Sequence, residues 1–266
     1  MINALVLLAF LSFSAPDTVI VARGAGGGGG GCAETDWEAA TCPNGCVTSL
    51  QNLESGSDEG DDAFPSNVTD NDYTTDRGTP SFFTTSNVFR GTNSIDGNVG
   101  HKSGTIDSGQ PHRDSDRDYT IGIMFRSDAV TGTDFIYDKG GAERIRLNGA
   151  DLQKDDGATG LVNITNCTGV IGAGEWWMVA AVYDHNGTNF DITYYCMETG
   201  AANSVITGQT QSGVAGSTAS LIGFCGTRNS TDSFDGLCDD FFVIDQALTS
   251  AEVEGIGQCS LDGDGI

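Results

Sequence analysis

The stretch that decides the fold is Phe234-Asp-Gly-Leu-Cys-Asp-Asp-Phe-Phe-Val-Ile-Asp-Gln-Ala-Leu-Thr-Ser-Ala-Glu-Val253, near the carboxyl end of the printed sequence. In its apolar run, Phe241 and Val243 are two positions apart, so both side chains lie on one face of a β-strand. Thr249 or Ser250 can then cap a short helix at its amino end. The stretch therefore predicts a core strand followed by a short helix that closes the domain.

Similar runs of β-branched and aromatic residues recur earlier in the chain. Gly, Asn and Asp separate them, and dipeptides such as Asn186-Gly187 suit hairpin turns. In the longest run the side chains expected on the core are Trp176, Val179, Ala181 and Tyr183. This pattern is typical of an all-β sandwich. The runs are Tyr119–Phe125, Asp134–Gly140, Arg144–Leu147, Leu161–Ile164, Trp176–Tyr183, Phe190–Tyr195 and Ser220–Phe224.

Four of these elements, in this order, resemble the laminin-G-like and pentraxin-type domains of the concanavalin A-like lectins. They are Asp118-Tyr-Thr-Ile121, Ile136-Tyr-Asp-Lys-Gly140, Trp176-Trp-Met-Val-Ala-Ala-Val-Tyr-Asp-His-Asn-Gly187 and the closing stretch 234–253. The resemblance implies an antiparallel jelly-roll of two sheets, which we expect over residues 81–258. A tail, 259–266, follows it.

The first part of the chain differs in composition. Residues 1–31 hold an apolar arm, a possible strand and a glycine run, and residues 32–80 form an acidic, cysteine-containing connector. The arm resembles the amino-terminal segments of phage structural proteins, which implies an anchor in a particle. The alternative is a cleaved signal peptide followed by a linker. The apolar segment is too short to span a bilayer as a helix.

The charge of the chain disfavours two classes of partner. With 37 Asp and Glu against 12 Lys and Arg, the formal net charge is −25. Such a surface repels phosphate backbones and anionic membrane faces, so we expect no nucleic-acid ligand, and the shortness of the apolar segment leads us to expect no transmembrane span.

Eight cysteines permit up to four disulfides in an oxidising environment. Cys42 and Cys46 have no second close pair of Cys or His that would complete a zinc site. We predict a bridge between Cys225 and Cys238, which flank one loop, and a second between Cys167 and Cys196.

The resemblance also implies a metal. Related domains often hold calcium at the acidic pair of the closing element, which here is Asp239 and Asp240. Carboxylates are the ligands that Ca²⁺ prefers. Calcium is therefore a possible cofactor at these two residues, although solvent-facing acids are common in a chain this acidic.

Catalysis is the less favoured interpretation. Glucanases with this fold use three carboxylates on one strand, and Glu34-Thr-Asp36-Trp-Glu38 has that spacing. However, the motif precedes the predicted sheets, so we expect a chance match and no enzyme.

Ligand recognition is the remaining class of function. We expect a non-catalytic adhesion protein, displayed on a virion and anchored to other particle proteins through residues 1–31. Its partner would be a glycan or cell surface, and the assembly would be oligomeric. A secreted lectin-like protein and, less favoured, a glycoside hydrolase are the alternatives. Loop aromatics, Arg, Asn and Asp commonly bind sugars. The candidate ligand-binding residues are Tyr137, Lys139, Arg144, Asn148, Arg228, Asn229 and Asp232.

Overall fold

The structure, a computed structural model, describes residues 47–51, 75–78, 83–84, 94–97, 100–105, 116–139, 143–155, 160–199, 203–216, 221–226 and 234–260. These residues form fifteen strands and one helix. The strands are β1 (Val47–Gln51), β2 (Thr75–Gly78), β3 (Phe83–Thr84), β4 (Ser94–Asp96), β5 (Gly100–Thr105), β6 (Tyr119–Ser127), β7 (Thr133–Lys139), β8 (Glu143–Asn148), β9 (Asp151–Asp155), β10 (Val162–Asn163), β11 (Trp176–His185), β12 (Phe190–Glu198), β13 (Ile206–Val214), β14 (Leu221–Phe224) and β15 (Gly236–Ile244), and the helix is α1 (Ser250–Ser260).

The strands form two antiparallel sheets, which confirms the predicted all-β jelly-roll sandwich. One sheet has eight strands in the order β13-β12-β11-β6-β15-β4-β3, with β1 also paired to β15. The other has seven strands in the order β10-β9-β8-β7-β14-β5-β2. Because neighbours such as β6 and β15 are far apart in sequence, the sheets depend on long-range pairing.

The main core lies between the sheets. Alternate side chains of each strand point into it, as the sequence pattern predicts for Phe241 and Val243 on β15. One prediction for β11 was wrong by a single position. Trp177 shares the core face with Val179, whereas Trp176 is on the opposite face, because residues an odd number apart point to opposite sides of a strand.

A second apolar cluster covers the outer face of the eight-stranded sheet. It includes Met178, Met197 and Phe242 from the strands, together with Val253 and Ile256 from α1. The helix therefore packs on this face and removes it from solvent.

Thr249 caps α1, as the sequence predicts. Its hydroxyl accepts a hydrogen bond from the backbone N–H of Glu252 at 3.3 Å, and Oε2 of Glu252 accepts one from the backbone N–H of Thr249 at 2.7 Å. This reciprocal capping box satisfies two donors at the start of the helix.

Among the residues that the structure describes, two disulfides join the sheets, and both predicted pairings are confirmed. Cys225, after β14, is bonded to Cys238 of β15, and Cys167, after β10, is bonded to Cys196 of β12. Disulfides persist in oxidising compartments, which indicates an extracellular type of environment for the chain.

The predicted boundary at residue 81 is too late for the sandwich. β1 pairs with β15, and β2 pairs with β5, although both come from the segment predicted as a connector. The helix also continues to Ser260, past the predicted end at 258. The predicted arm, residues 1–31, lies outside the described residues, as does the motif at 34–38.

Candidate ligand-binding face

The outer face of the seven-stranded sheet is polar where the structure describes its side chains. On β8, Ile145 and Leu147 point into the main core, so Arg144 and Arg146 point outward. Phe135 of β7 lies opposite Arg146 in the strand register. This face therefore presents basic groups where the other sheet carries α1, and the Phe135 side chain is largely buried.

Two guanidinium groups contact one aromatic ring on this sheet. The Arg144 and Arg146 guanidinium carbons are 5.8 and 5.7 Å from the centroid of the Phe135 ring. Both distances are within the range of cation–π attraction. Nε of Arg144 is also 3.7 Å from Oδ1 of Asp138, which is buried on the same hairpin. The ring and the two arginines thus fix one another in position.

A chain of side-chain hydrogen bonds continues from Arg146 across the next two strands. Nε of Arg146 donates to Oε1 of Gln153 at 2.9 Å, and Nε2 of Gln153 donates to Oδ1 of Asn163 at 2.7 Å. Nδ2 of Asn163 in turn donates to Oδ2 of Asp151 at 3.1 Å. The polar groups of β8, β9 and β10 are therefore held in fixed orientations, as a binding surface requires.

Burial and neighbouring charges both act on Arg146. Partial burial lowers the pKa of its guanidinium, and the nearby positive charge of Arg144 acts in the same direction. The carboxylate of Asp155 opposes them. The guanidinium stays charged, because its ordinary pKa is far above neutrality.

Of the predicted ligand-binding residues, Arg144 lies on this face. Asn148, at the end of the same strand, is exposed, and its Oδ1 accepts a hydrogen bond from the Thr133 hydroxyl at 3.4 Å. Arg228, Asn229 and Asp232 lie outside the described residues.

Tyr137 and Lys139 are a correction, because both point inward. Tyr137 packs near Phe241 in the main core, and Lys139 is fully buried. Nζ of Lys139 donates to the Tyr119 hydroxyl at 2.8 Å and lies 3.2 Å from Oε2 of Glu143. Neither side chain can contact a ligand at the surface.

Sequence reasoning missed Phe135, Arg146, Gln153 and Asn163. One signal for Arg146 was available, because Arg144 and Arg146 are two positions apart in a strand whose intervening residue is apolar. The hydrogen bonds between Gln153 and Asn163 depend on strand pairing and have no local sequence signal.

Asp239 and Asp240 are both buried on β15. Oδ2 of Asp239 accepts a hydrogen bond from the Ser94 hydroxyl at 2.7 Å, and Oδ1 accepts one from the backbone N–H of Asp240 at 2.9 Å. Calcium takes six to eight oxygen ligands. The described residues include no group of three or more His, Cys, Asp or Glu that could hold a metal. Within this part of the chain the residues therefore do not make up a calcium site, and calcium stays a prediction.

The described part of the chain also contains no helix with the length and apolarity needed to cross a membrane.

Comparisons with known proteins agree with this architecture. Residues 96–254 match the family described as the concanavalin A-like lectin/glucanases superfamily, of the laminin-G type. No curated protein sequence matches the chain.

Solved structures with the same fold are distant in sequence. Domain 4 of AbnA, a GH43 extracellular arabinanase from Geobacillus stearothermophilus solved with arabinotriose, has a TM-score of 0.54 at 15% identity, covering 80% of this chain and 98% of that one. The botulinum neurotoxin serotype C1 binding domain has a TM-score of 0.52 at 14% identity, covering 81% and 52%. A Trypanosoma rangeli sialidase has a TM-score of 0.52 at 11% identity, covering 82% and 32%. The chain thus spans about half of the toxin domain and a third of the sialidase.

Proposed function

This chain belongs to the concanavalin A-like lectin/glucanases superfamily, and on that premise we propose that it is a non-catalytic carbohydrate-binding protein. Its ligand would lie across the outer face of the seven-stranded sheet, on Arg144, Arg146 and Asn163, whose side chains are held in place by the largely buried Phe135 and Gln153. The observation that carries the proposal is the pair of guanidinium groups that contact one aromatic ring, continued by an ordered chain of amide side chains.

The chemistry of this face suits a sugar. Each sugar ring offers hydroxyl groups that donate and accept hydrogen bonds, together with apolar C–H patches. Arginine and amide N–H groups are donors, and carboxylate and amide oxygens are acceptors, while the largely buried Phe135 ring supports the two arginines. The similarity to an arabinanase domain solved with arabinotriose supports a carbohydrate ligand.

The choice of sheet follows from the packing. Helix α1 and the second apolar cluster cover the outer face of the eight-stranded sheet. A ligand of comparable size would have to displace this helix. On the outer face of the seven-stranded sheet, hydrogen bonds instead fix the polar side chains before a ligand arrives. This order lowers the entropy cost of binding.

The test is affinity electrophoresis against a panel of neutral and acidic polysaccharides. We expect retardation by at least one of them, and loss of at least about ten-fold in affinity for Phe135→Ala and for Asn163→Ala. Thr210→Ala is the matched control, because Thr210 is an exposed polar residue on β13 of the other sheet. Binding that both variants retain, or no binding to any polysaccharide, would overturn the proposal.

The same panel tests the glycoside hydrolase alternative. We expect no release of reducing sugar from a polysaccharide that the protein binds. Release that Glu38→Gln abolishes would support the hydrolase, with the carboxylates at 34–38 as its acids.

We also propose that the domain is displayed on a particle, through residues 1–31. The apolar arm and the glycine run support this location. Mass spectrometry of the mature protein should find these residues retained in a particle fraction. A chain that begins near residue 15 or residue 23 would instead support the secreted lectin-like alternative.

A further inference from the structure

Arg146 differs from the other arginines whose side chains the structure describes. Each of those has a carboxylate partner, namely Arg117 with Asp245, Arg126 with Asp128 and Arg144 with Asp138. Arg146 donates instead to the neutral carboxamide of Gln153, and within the described residues it has no carboxylate partner in an ion pair. The chain has 37 acidic residues, so a shortage of carboxylates does not explain why this partly exposed guanidinium pairs with an amide.

The guanidinium is oriented, but most of its donors are unused. Only Nε is engaged, by Gln153, and Gln153 is itself held by Asn163. The Phe135 ring supports the guanidinium through a cation–π contact. Among the residues that the structure describes, none accepts a hydrogen bond from the two Nη groups of Arg146. These Nη donors have the planar, forked geometry that binds a carboxylate or sulfate through two parallel hydrogen bonds.

The two guanidinium groups at this fork favour an anion locally, against the long-range repulsion from a chain of net charge −25. Arg144 lies two positions away on the same face of β8, and both guanidinium groups contact one ring. Burial is the main cause of the lowered pKa of Arg146; the Asp155 carboxylate raises this pKa, and the mutual repulsion with Arg144 lowers it further. An anionic group placed beside both would relieve this repulsion and form charge-assisted hydrogen bonds.

We infer that Arg146, supported by Phe135 and Arg144, binds an oxyanion of the ligand, and that the ligand is an acidic glycan. This inference rests on the proposed carbohydrate-binding function and names the ligand class for the same face. The oxyanion is either the carboxylate of a uronic acid or a sulfate ester, since both offer oxygens to a forked donor.

The experiment is isothermal titration calorimetry with three probes. They are trigalacturonate, a sulfated galactan oligosaccharide and neutral arabinotriose. We expect the wild-type protein to bind one of the two acidic probes at least ten-fold more tightly than arabinotriose. Arg146→Gln should lose about ten- to a hundred-fold in affinity for that acidic probe, because the charge-assisted hydrogen bonds are lost.

Two further variants separate charge from geometry and from folding. Arg146→Lys keeps the charge but lacks the forked donors, so we expect an affinity between those of the wild type and Arg146→Gln. Arg126→Gln removes the same charge from β6 of the other sheet and should stay within about two-fold of the wild type, as a substitution outside the binding face. Circular dichroism and thermal unfolding confirm that each variant is folded before it is titrated.

The outcomes distinguish this inference from the proposed function. Tighter binding of arabinotriose, or equal losses for Arg146→Gln and Arg126→Gln, would overturn the acidic-ligand inference while carbohydrate binding stands. Binding of none of the three probes, together with a negative polysaccharide panel, would overturn both.

Discussion

Lys139 and Glu143 form an ion pair in the space between the two sheets, with Nζ of the lysine 3.2 Å from Oε2 of the glutamate. They face each other across the β7–β8 pair, and both side chains are buried. The Tyr183 hydroxyl donates to the same glutamate oxygen at 2.9 Å, and Nζ donates to the Tyr119 hydroxyl at 2.8 Å. Charges are tolerated in a core when they are paired and hydrogen-bonded in this way.

Removing one member of this pair should destabilise the fold strongly. Glu143→Gln leaves the Lys139 charge without its counterion in a dry site, which costs about 3–5 kcal/mol. The double variant Lys139→Met/Glu143→Leu should recover most of this loss, because it leaves no buried charge. Urea unfolding followed by tryptophan fluorescence measures both free energies.

The control for this prediction is a pair at the surface. Arg117 and Asp245 are about one-third exposed, so Asp245→Asn should cost no more than about 1 kcal/mol. A loss for Glu143→Gln as small as that of Asp245→Asn would contradict the buried-pair interpretation.

The buried tyrosines predict a loss of stability at alkaline pH. Burial raises the pKa values of Tyr119 and Tyr183 well above the usual 10.0, and the Glu143 carboxylate adds to the effect. A raised pKa in the folded state means that the contribution to stability is complete below about pH 10 and is lost as the pH rises further. The midpoint of thermal unfolding should therefore fall steeply above pH 10.

Lys139 acts with the opposite sign in the range just below. Burial lowers its pKa, and Glu143 opposes this. The unfolded chain then binds more protons up to its ordinary pKa near 10.5, so this contribution makes stability increase with pH until that point.

Tyr183→Phe should make the decline above pH 10 shallower, and an unchanged slope would argue against the tyrosines as its cause.

The sequence predicted strand faces only in part. Alternation placed Phe241 and Val243 correctly, although the β15 register shifts between Asp239 and Phe242, and it misplaced Trp176 on the regular strand β11. On β7, however, the register shifts between Phe135 and Tyr137. This bulge turns Phe135 outward and Tyr137 into the core, although residues two apart in a regular strand share a face.

The position of Lys139 could not be predicted from its residue type. A lysine in a strand is normally exposed. Its burial depends on Glu143 and Tyr119, which are brought to it by strand pairing and by the facing sheet, and the sequence alone shows neither. The candidate binding face was therefore only partly predicted, through Arg144, whereas the bridge between Cys225 and Cys238 was predicted because the two cysteines flank one loop.

The two disulfides should contribute unequally to stability. Cys167 and Cys196 are 29 residues apart, and Cys225 and Cys238 are 13 apart. Because a longer closed loop loses more entropy in the unfolded chain, we expect about 4 kcal/mol from the first bridge and about 3 kcal/mol from the second. Paired Cys→Ser variants, compared by urea unfolding at constant pH, measure the difference. A larger loss for the Cys225/Cys238 variant would show that native-state contacts outweigh loop entropy.

At Gly122 the packing leaves no room for the methyl group that an alanine would add. It lies opposite Phe242 in the β6–β15 pair, and a Cβ at this position would collide with the Phe242 ring and approach the carbonyl oxygen of Val179 to 2.8 Å. Gly122→Ala should therefore cost about 1–3 kcal/mol through overpacking. Phe242→Leu in the same chain should relieve part of the collision, so the double variant should be more stable than the sum of the two single losses predicts.

Gly187 supplies the matched control for a glycine substitution. Its φ is +92°, but a Cβ there would meet no atom within 4 Å, so Gly187→Asn tests backbone strain without a packing collision. Differential scanning calorimetry measures the loss of stability in each variant. The losses for Gly187→Asn and Phe242→Leu should add in the double variant, because the two sites share no contact. The losses for Gly122→Ala and Phe242→Leu should not add. If the losses for Gly122→Ala and Phe242→Leu do add, the Phe242 ring moves away from the new methyl group without cost. Close packing of Phe242 would then not be the reason that residue 122 is a glycine.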